Sequence, residues 1–489
     1  MRYKVKFFPV LFLIIAQSLS CNEQNSGKLQ GAMSVVNITP PVGCRLAGHF
    51  YEVLSTGIHD SLWAKSMVLE QGDQKFAFVF CDLIGLTSQI SDSARKIASD
   101  QTGIPVKNIM ISAAHSHTGP LFYGFQHNYF HGQALEERGH DPHEKIDYPK
   151  FLVKQIIKAI ILANGNLQPV DLQKAQAIES QLSFNRRYYM KKGPVLFNPG
   201  PLNPEILAPA GPIDSTISIL LMSSNNFSNY IGGLTVFAMH ADCIGGTEIS
   251  ADYPFYLEQT LKSKFGQDYI SAFGLGTCGD INDINVKKDQ PIYSEENTKN
   301  IGEKLGKDVI SNLKLMKPVS HPSLGMVSKK ILLPLQIPSK EQIDSARELI
   351  NNLYKVRNTG AYLKNAGGES GDFLNRVKMS KYLSLEDRKV SVPVEVQAFR
   401  IDSSTVIVGL PGELFVELGL SIKKRSPFKN TIVMTVCNDK TSYIPTKKAY
   451  AEGSYEVTNS ILKPGSGEML VETALGLLNE LKTNINNKN

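Results

Sequence analysis

Residues 108–120 read NIMISAAHSHTGP, an apolar run of strand character that ends in His115-Ser116-His117 and a Gly119-Pro120 turn. Four other segments share that short, apolar make-up: KFAFVF (75–80), TISILLM (216–222), LTVFA (234–238) and VIVGL (406–410). Between and around them, residues 148–164, 256–264, 297–315, 340–353 and 470–481 carry helical periodicity. Buried strands alternating with such helices imply an α/β or α+β chain, and the expectation is a mixed-sheet catalytic domain with packed helices. The polar, Gly-rich stretch 358–372 is the best candidate for an internal linker or loop. Candidate chemical residues lie on both sides of it, so residues 33–489 read as one catalytic unit.

The chain has 489 residues, of which 42% are hydrophobic and 20% charged, enough to bury a large core and to exclude global disorder. A net charge of +6 with no basic run or nucleic-acid motif excludes nucleic acid as a partner. Arg2, Lys4 and Lys6 precede an apolar run from Phe7 to Ala16 and then Ser18-Leu19-Ser20-Cys21. That layout is an export signal, too short for a membrane span of ~20 residues. Residues 1–20 are expected to be removed, Cys21 to become the lipidated first residue of a bacterial lipoprotein, and 21–32 to form a tether. The mature protein is then exported, periplasmic or outer-membrane anchored, and touches the membrane only through that lipid. The other cysteines form no CxxC pair and read as buried thiols rather than a metal module or disulfide framework.

Alternation on a strand would aim His115 and His117 at a common spot, and His-x-His at a strand end is a metal or catalytic signal. His240 follows the strand VFA in the same way and supplies a third imidazole. The loop GLGTCGDIND (274–283) has glycines for tight turns but lacks phosphate-loop and dinucleotide spacing. Its Asp280 could orient a ligand histidine or act as an acid or base, and Cys278 reads as a structural thiol. Glu413, just past a buried strand, is costly there unless paired or bound to metal. Tyr443 lies on the loop NDKTSYIPT (438–446). Residues 122–150 hold His127, His131, His140 and His143 among acids; their spacing suits no single closed metal site, and a solvated loop or a lid over the substrate is expected.

Taken in order, ITPPVG (38–43), HSHTGP (115–120), FAMH (237–240), CGDIND (278–283), PGE (411–413), NDKTSY (438–443) and SYE (454–456) resemble the neutral/alkaline (non-lysosomal) ceramidase family. The resemblance runs from about Ser34 to Leu481 and implies a catalytic Zn2+ held by His115, His240, Glu413 and Tyr443. It also implies a His117 that sits just behind the metal ligands or faces the substrate, and an Arg186 that binds a carbonyl or oxyanion. Three departures stand out. Asn282 occupies the place of the family's serine nucleophile, Lys440 that of a tyrosine, and the chain ends without room for a C-terminal immunoglobulin-like domain. The expected function is therefore zinc-dependent hydrolysis of an amide or ester, with metal-bound water replacing serine and His117 or Asp280 moving the proton. The substrate is a small molecule, a lipid or an acylated glycan. Two alternatives remain: genuine ceramidase activity with Asn282 positioning water, and a non-catalytic surface lipoprotein that binds a lipid or glycan.

Overall fold

Four of the five apolar runs become inner strands, and NIMIS a sheet-end strand, of three larger mixed sheets in this computed structural model, which describes residues 27–224, 227, 229–355 and 371–486. The expected signal segment, Cys21 and residues 358–370 of the expected linker lie outside the described residues. Strands β1 (Gln30–Asn37), β2 (Trp63–Gln71), β3 (Gln74–Cys81) and β4 (Ile109–Ala113) form the first sheet in the order β4-β3-β2-β1, with Gln168–Pro169 at its edge. Strands β5 (Asp171–Ile178), β6 (Thr216–Ser224), β7 (Asn229–Phe237) and β8 (Ile270–Leu275) form the second in the order β8-β7-β6-β5, edged by Lys317–Pro318. Strands β9 (Pro322–Pro334), β10 (Ser391–Asp402), β11 (Thr405–Gly409) and β12 (Asn430–Met434) form the third in that order.

The period-2 pattern explains the layering. On β3, Phe76, Phe78 and Phe80 point into a central core that also takes Leu220, Met222, Leu234, Phe399 and Ile407 from the other two sheets. Ala77, Val79 and Cys81 point the other way, into a core beneath helices. Phe399 meets Phe76 and Phe78 edge-on at centroid distances of 5.3 and 4.9 Å. Both faces of β3 are thus buried, which is why it reads as a continuous apolar run.

Helices α1 (Ser88–Thr102), α2 (Gly124–Arg138) and α3 (Tyr148–Gly165) follow in the first half, then α4 (Tyr253–Phe265) and α5 (Glu295–Ser311). Helices α6 (Lys340–Lys355), α7 (Gly371–Ser384), α8 (Val416–Arg425) and α9 (Ser466–Asn486) follow, with two short helices, Lys447–Glu452 and Tyr455–Asn459, between the last two. Helix α3 covers the first sheet, α4 the edge strand β8 of the second, and α8 and α9 the third; α6 and α7 pack together, with α7 against α2. Among the described residues no helix is long and apolar enough to cross a membrane.

Three expectations change. The segment 122–150 is no open loop: α2 occupies its first half and buries Phe130 and Ala134, a stripe too thin to stand out as a pattern. Helix α4 begins three residues early because Pro254 sits in its first turn, where a missing N–H costs nothing, and Asp252 caps Tyr253. Residues 30–32 of the expected tether belong to β1, where Gln30 pairs with Glu70 of β2.

Each large sheet contains one parallel pair: β3 with β4, β7 with β8, and β11 with β12. Their carboxyl ends are stitched together. The Asn438 N–H donates to the Ile111 carbonyl at 2.6 Å, and the Thr435 N–H to the Leu275 carbonyl at 2.9 Å. The loops leaving β4, β7, β8, β11 and β12 therefore gather in one place, the usual position for a site in an α/β protein.

Candidate active site

The strand β4 ends at Ala113, and His115 takes a left-handed backbone with φ 69°. The two histidines converge through a turn, not through the expected strand alternation. Ser116 and Thr118 hydroxyls both donate to the Ser250 carbonyl, at 2.5 and 3.1 Å, which pins the even positions away from the imidazoles. His115 Nδ1 meets the Ile84 carbonyl at 2.7 Å, so that nitrogen carries the proton and Nε2 points inward. His240 is fixed in the same tautomer by the Cys278 and Ile281 carbonyls, at 2.8 and 3.0 Å from its Nδ1. The glycine-rich loop does orient a histidine, but through these carbonyls and not through Asp280.

Glu413 follows β11 after the Pro411-Gly412 turn. Gly412 has φ 68°, and a Cβ there would lie 2.7 Å from the Ser442 carbonyl, so the turn demands glycine. Glu413 pairs in parallel with Tyr443 in a two-residue ladder that sets both side chains beside the histidines. Its Oε2 lies 3.2 Å from His115 Nε2 and 3.4 Å from His240 Nε2. Tyr443 Oη lies 3.4 Å from His240 Nε2. The ligand atoms of His115, His117 and His240 all fall within 4.8 Å of one another, a buried group able to hold a metal ion.

The donor set fits zinc. His115 Nε2, His117 Nε2 and Glu413 Oε2 are buried without a hydrogen-bond partner. Two imidazole lone pairs facing one carboxylate oxygen repel unless a cation or a shared proton lies among them. Tetrahedral ligands at about 2.0–2.1 Å from a zinc ion stand roughly 3.3–3.4 Å from each other. The three separations given above match those edges. His117 stands at the margin of this group, with Nδ1 at 3.3 Å from Asp242 Oδ1.

Burial sets the protonation states. It pushes His240 down to about 3, assisted by the Arg186 cation, and His117 well below its ordinary value, assisted by His115 and His240. Burial works against ionisation of Glu413, but His115 and the Lys440 ammonium, 3.6 Å from Oε1, outweigh it and hold the carboxyl well below the carboxylate range. Burial and the Glu413 charge push the Tyr443 phenol well up.

Residues 33–296, more than half of the chain, match the family described as neutral/alkaline non-lysosomal ceramidase, N-terminal. The chain belongs to that family. Among solved structures it resembles the neutral ceramidase from Pseudomonas aeruginosa, with a TM-score of 0.68 at 17% identity over 94% of this chain and 75% of that one. A ceramidase complexed with C2 is similar at a TM-score of 0.67 and 16% identity, over 94% and 76% of the two chains. At such identity the likeness is one of fold. No curated protein sequence matches. The family match covers the three histidines, while Glu413 and Tyr443 lie beyond it and join them only in space.

The remaining expected residues fall into distinct environments. Arg186 is buried beside the ceramidase-family site: Nη2 donates to the Gly279 carbonyl at 2.7 Å and to Tyr443 Oη at 3.1 Å, and Nε donates to Glu456 at 2.8 Å. Asp280 has both oxygens engaged, by Asn185 Nδ2 and the Val416 N–H, each at 2.8 Å, and burial raises its carboxyl to about 6. It joins the loop to the start of α8 instead of facing the histidines. Asn282 is bonded at both ends of its amide, donating to Asn198 at 3.1 Å and accepting from the Ile284 N–H at 3.2 Å. Cys278 is buried with its thiol pushed far up by desolvation, as a structural thiol should be, and all five described cysteines are free.

Against the expected lack of a closed cluster, α2 and the turn after it bring His131, Asp141 and Glu144 within 4.8 Å of one another. Arg45 already binds Asp141 at 2.6 Å, so this group is an ion-pair network that fixes the turn. The sequence did not point to Glu456, Asp242 or the carbonyl of Ile84. Glu456 was visible only as part of SYE; nothing local links it to an arginine 270 positions away.

A cavity of about 370 Å³ opens onto Glu413 and Tyr443, walled by Phe50, Tyr123, Phe125 and Lys381.

Proposed function

We propose that this ceramidase-family protein hydrolyses an amide or ester bond, with zinc held by His115, His240, Glu413 and Tyr443 and with water rather than a protein side chain as the nucleophile. The observation that carries this reading is the set of buried, unpartnered acceptor atoms, His115 Nε2, His117 Nε2 and Glu413 Oε2, converging at one point. When bound, zinc supplies Lewis acidity and lowers the pKa of a water from 15.7 to about 7.

The protein's own groups supply the rest. His117, its Nδ1 facing Asp242, presents Nε2 to accept the proton of the attacking water and return it to the leaving group. Arg186, clamped by Glu456, donates to the phenol oxygen of Tyr443 and favours its anionic form, so it acts through Tyr443. Asn282 cannot stand in for a serine, and both its amide ends are occupied, which favours solvent as the nucleophile.

Purified protein should contain about one zinc per chain and lose turnover of an amide and ester panel on chelation, with recovery when zinc returns. Native protein that holds no zinc would sink this reading. The shared fold favours N-acylsphingosine as a second reading, tested with a fluorescent short-chain ceramide and the His115→Ala variant. Export and lipidation at Cys21 are proposed as well; mass spectrometry of the mature N-terminus from a membrane fraction checks them.

A further inference from the structure

The cavity over the site is small and its charge is unbalanced. At about 370 Å³ it lies near the lower end of the roughly 300–1,000 Å³ usual for ligand sites, enough to hold a compact metabolite. Lys381 and Arg388, from α7 and the turn after it, and Lys440 contribute cations to the lining; Glu413 and Asp439 contribute the acids.

These charges do not cancel. Glu413 is committed to His115, His240 and Lys440. Asp439 has both oxygens occupied, by the Ser88 N–H at 2.9 Å and the Thr441 hydroxyl at 2.7 Å. Lys381 is half-buried, and its electrostatic neighbours include another lysine, Lys378, but no acid. Arg388 is exposed, donates through Nε to the Ser384 carbonyl and has Asp439 as its acidic neighbour, so Lys381 is the cation left over. A half-buried ammonium without a counter-ion is a costly feature to keep in a cavity wall unless a ligand supplies the missing charge.

We propose that the substrate of this site is a small amide or ester bearing an anionic group, which Lys381 and Arg388 bind. The apolar wall of Phe50, Phe125 and Ile84 would take the acyl portion. This deepens the hydrolase reading given above and rests on it for the chemistry, but not for the anion recognition. Burial and Lys378 hold Lys381 down to about 8, the state of a cation with an aromatic neighbour, Tyr382 at 5.8 Å, but no paired acid.

The test compares N-hexanoyltaurine with N-hexanoylethanolamine, matched in acyl chain and differing in the sulfonate, by calorimetric binding and by turnover. The sulfonate should bind about tenfold more tightly, the worth of one charge-assisted hydrogen bond, and the preference should fall to within twofold in Lys381→Met with Arg388→Met. Thermal unfolding of the double variant should show a folded protein, so that a lost preference is not a folding defect. Equal binding of the two amides, no binding of the sulfonate, or a preference that survives in the double variant overturns the inference. Selective binding without turnover of either amide upholds anion recognition and counts against the hydrolase reading instead.

Discussion

Glu413 and Glu456 are both buried carboxylates, and zinc should tell their neutralisation apart. Glu413 lies 3.2 Å from His115, 3.4 Å from His240 and 3.6 Å from Lys440. A Glu413→Gln change removes the charge that His115 and Lys440 stabilise, so the chelated protein should lose Tm. Zinc affinity should fall by more than the roughly 10–100-fold that an outer partner of a metal ligand is worth; competitive zinc titration reads that loss. Glu456, by contrast, answers two buried guanidinium groups, Arg186 at 2.8 Å and Arg187 at 3.0 Å. Glu456→Gln leaves both cations short of charge and should cost about 3–5 kcal/mol in denaturant unfolding, with or without zinc. Should Glu413→Gln bind zinc as tightly as the parent, Glu413 would not be a zinc ligand.

The site is assembled from strand exits, and this decides what could be read in advance. KFAFVF and VIVGL were legible because sheets covered on both sides need unbroken apolar runs, and His115, His240 and Glu413 were legible because each polar residue directly follows such a run. Local pattern cannot reveal the stitching between exits. Asn438 has φ 59°, accepts from the Ile111 N–H at 2.9 Å and donates to Gln397 at 2.7 Å, thereby joining the exit of β12 to β4 and β10. Nor could it reveal that His115 leaves the strand: a left-handed histidine is imposed by tertiary contacts, in this case the Ile84 carbonyl and the Ser250 anchor. α2 was missed for a related reason, since only two of its residues are buried. Asn438→Ala should leave the Ile111 N–H and Gln397 unsatisfied and cost about 2–4 kcal/mol. Hydrogen exchange should then rise at Ile111 more than in α9, which packs on the opposite side of the third sheet.

At the scale of the whole molecule, the meeting of three sheets leaves a buried polar pocket behind the histidines, and its acids couple folding to pH. Asp252 caps α4 and accepts from the N–H groups of Cys243, Ile244 and Tyr253, yet burial still raises its carboxyl to about 6. Asp283, bonded to Asn297 of α5 at 2.8 Å, is pushed up to about 7 by burial and then by the Asp252 charge. A carboxyl with a folded pKa above its unfolded value of about 3.9 binds its proton more tightly in the native state, so unfolding releases that proton. Its stabilising contribution is complete below about pH 4 and is lost as pH rises through about 7. Replacing Asp283 by Asn keeps the shape and removes the titration. The variant should match the parent near pH 4 and become more stable than it by a few kcal/mol near pH 8, on the order of what a three-unit shift provides. Urea unfolding at several pH values reads the difference, and a gap that does not widen between pH 4 and 8 would show that Asp283 titrates as it does in water. A widening gap that persists after chelation would locate the effect in the acid cluster itself, apart from any change at Glu413 and the histidines.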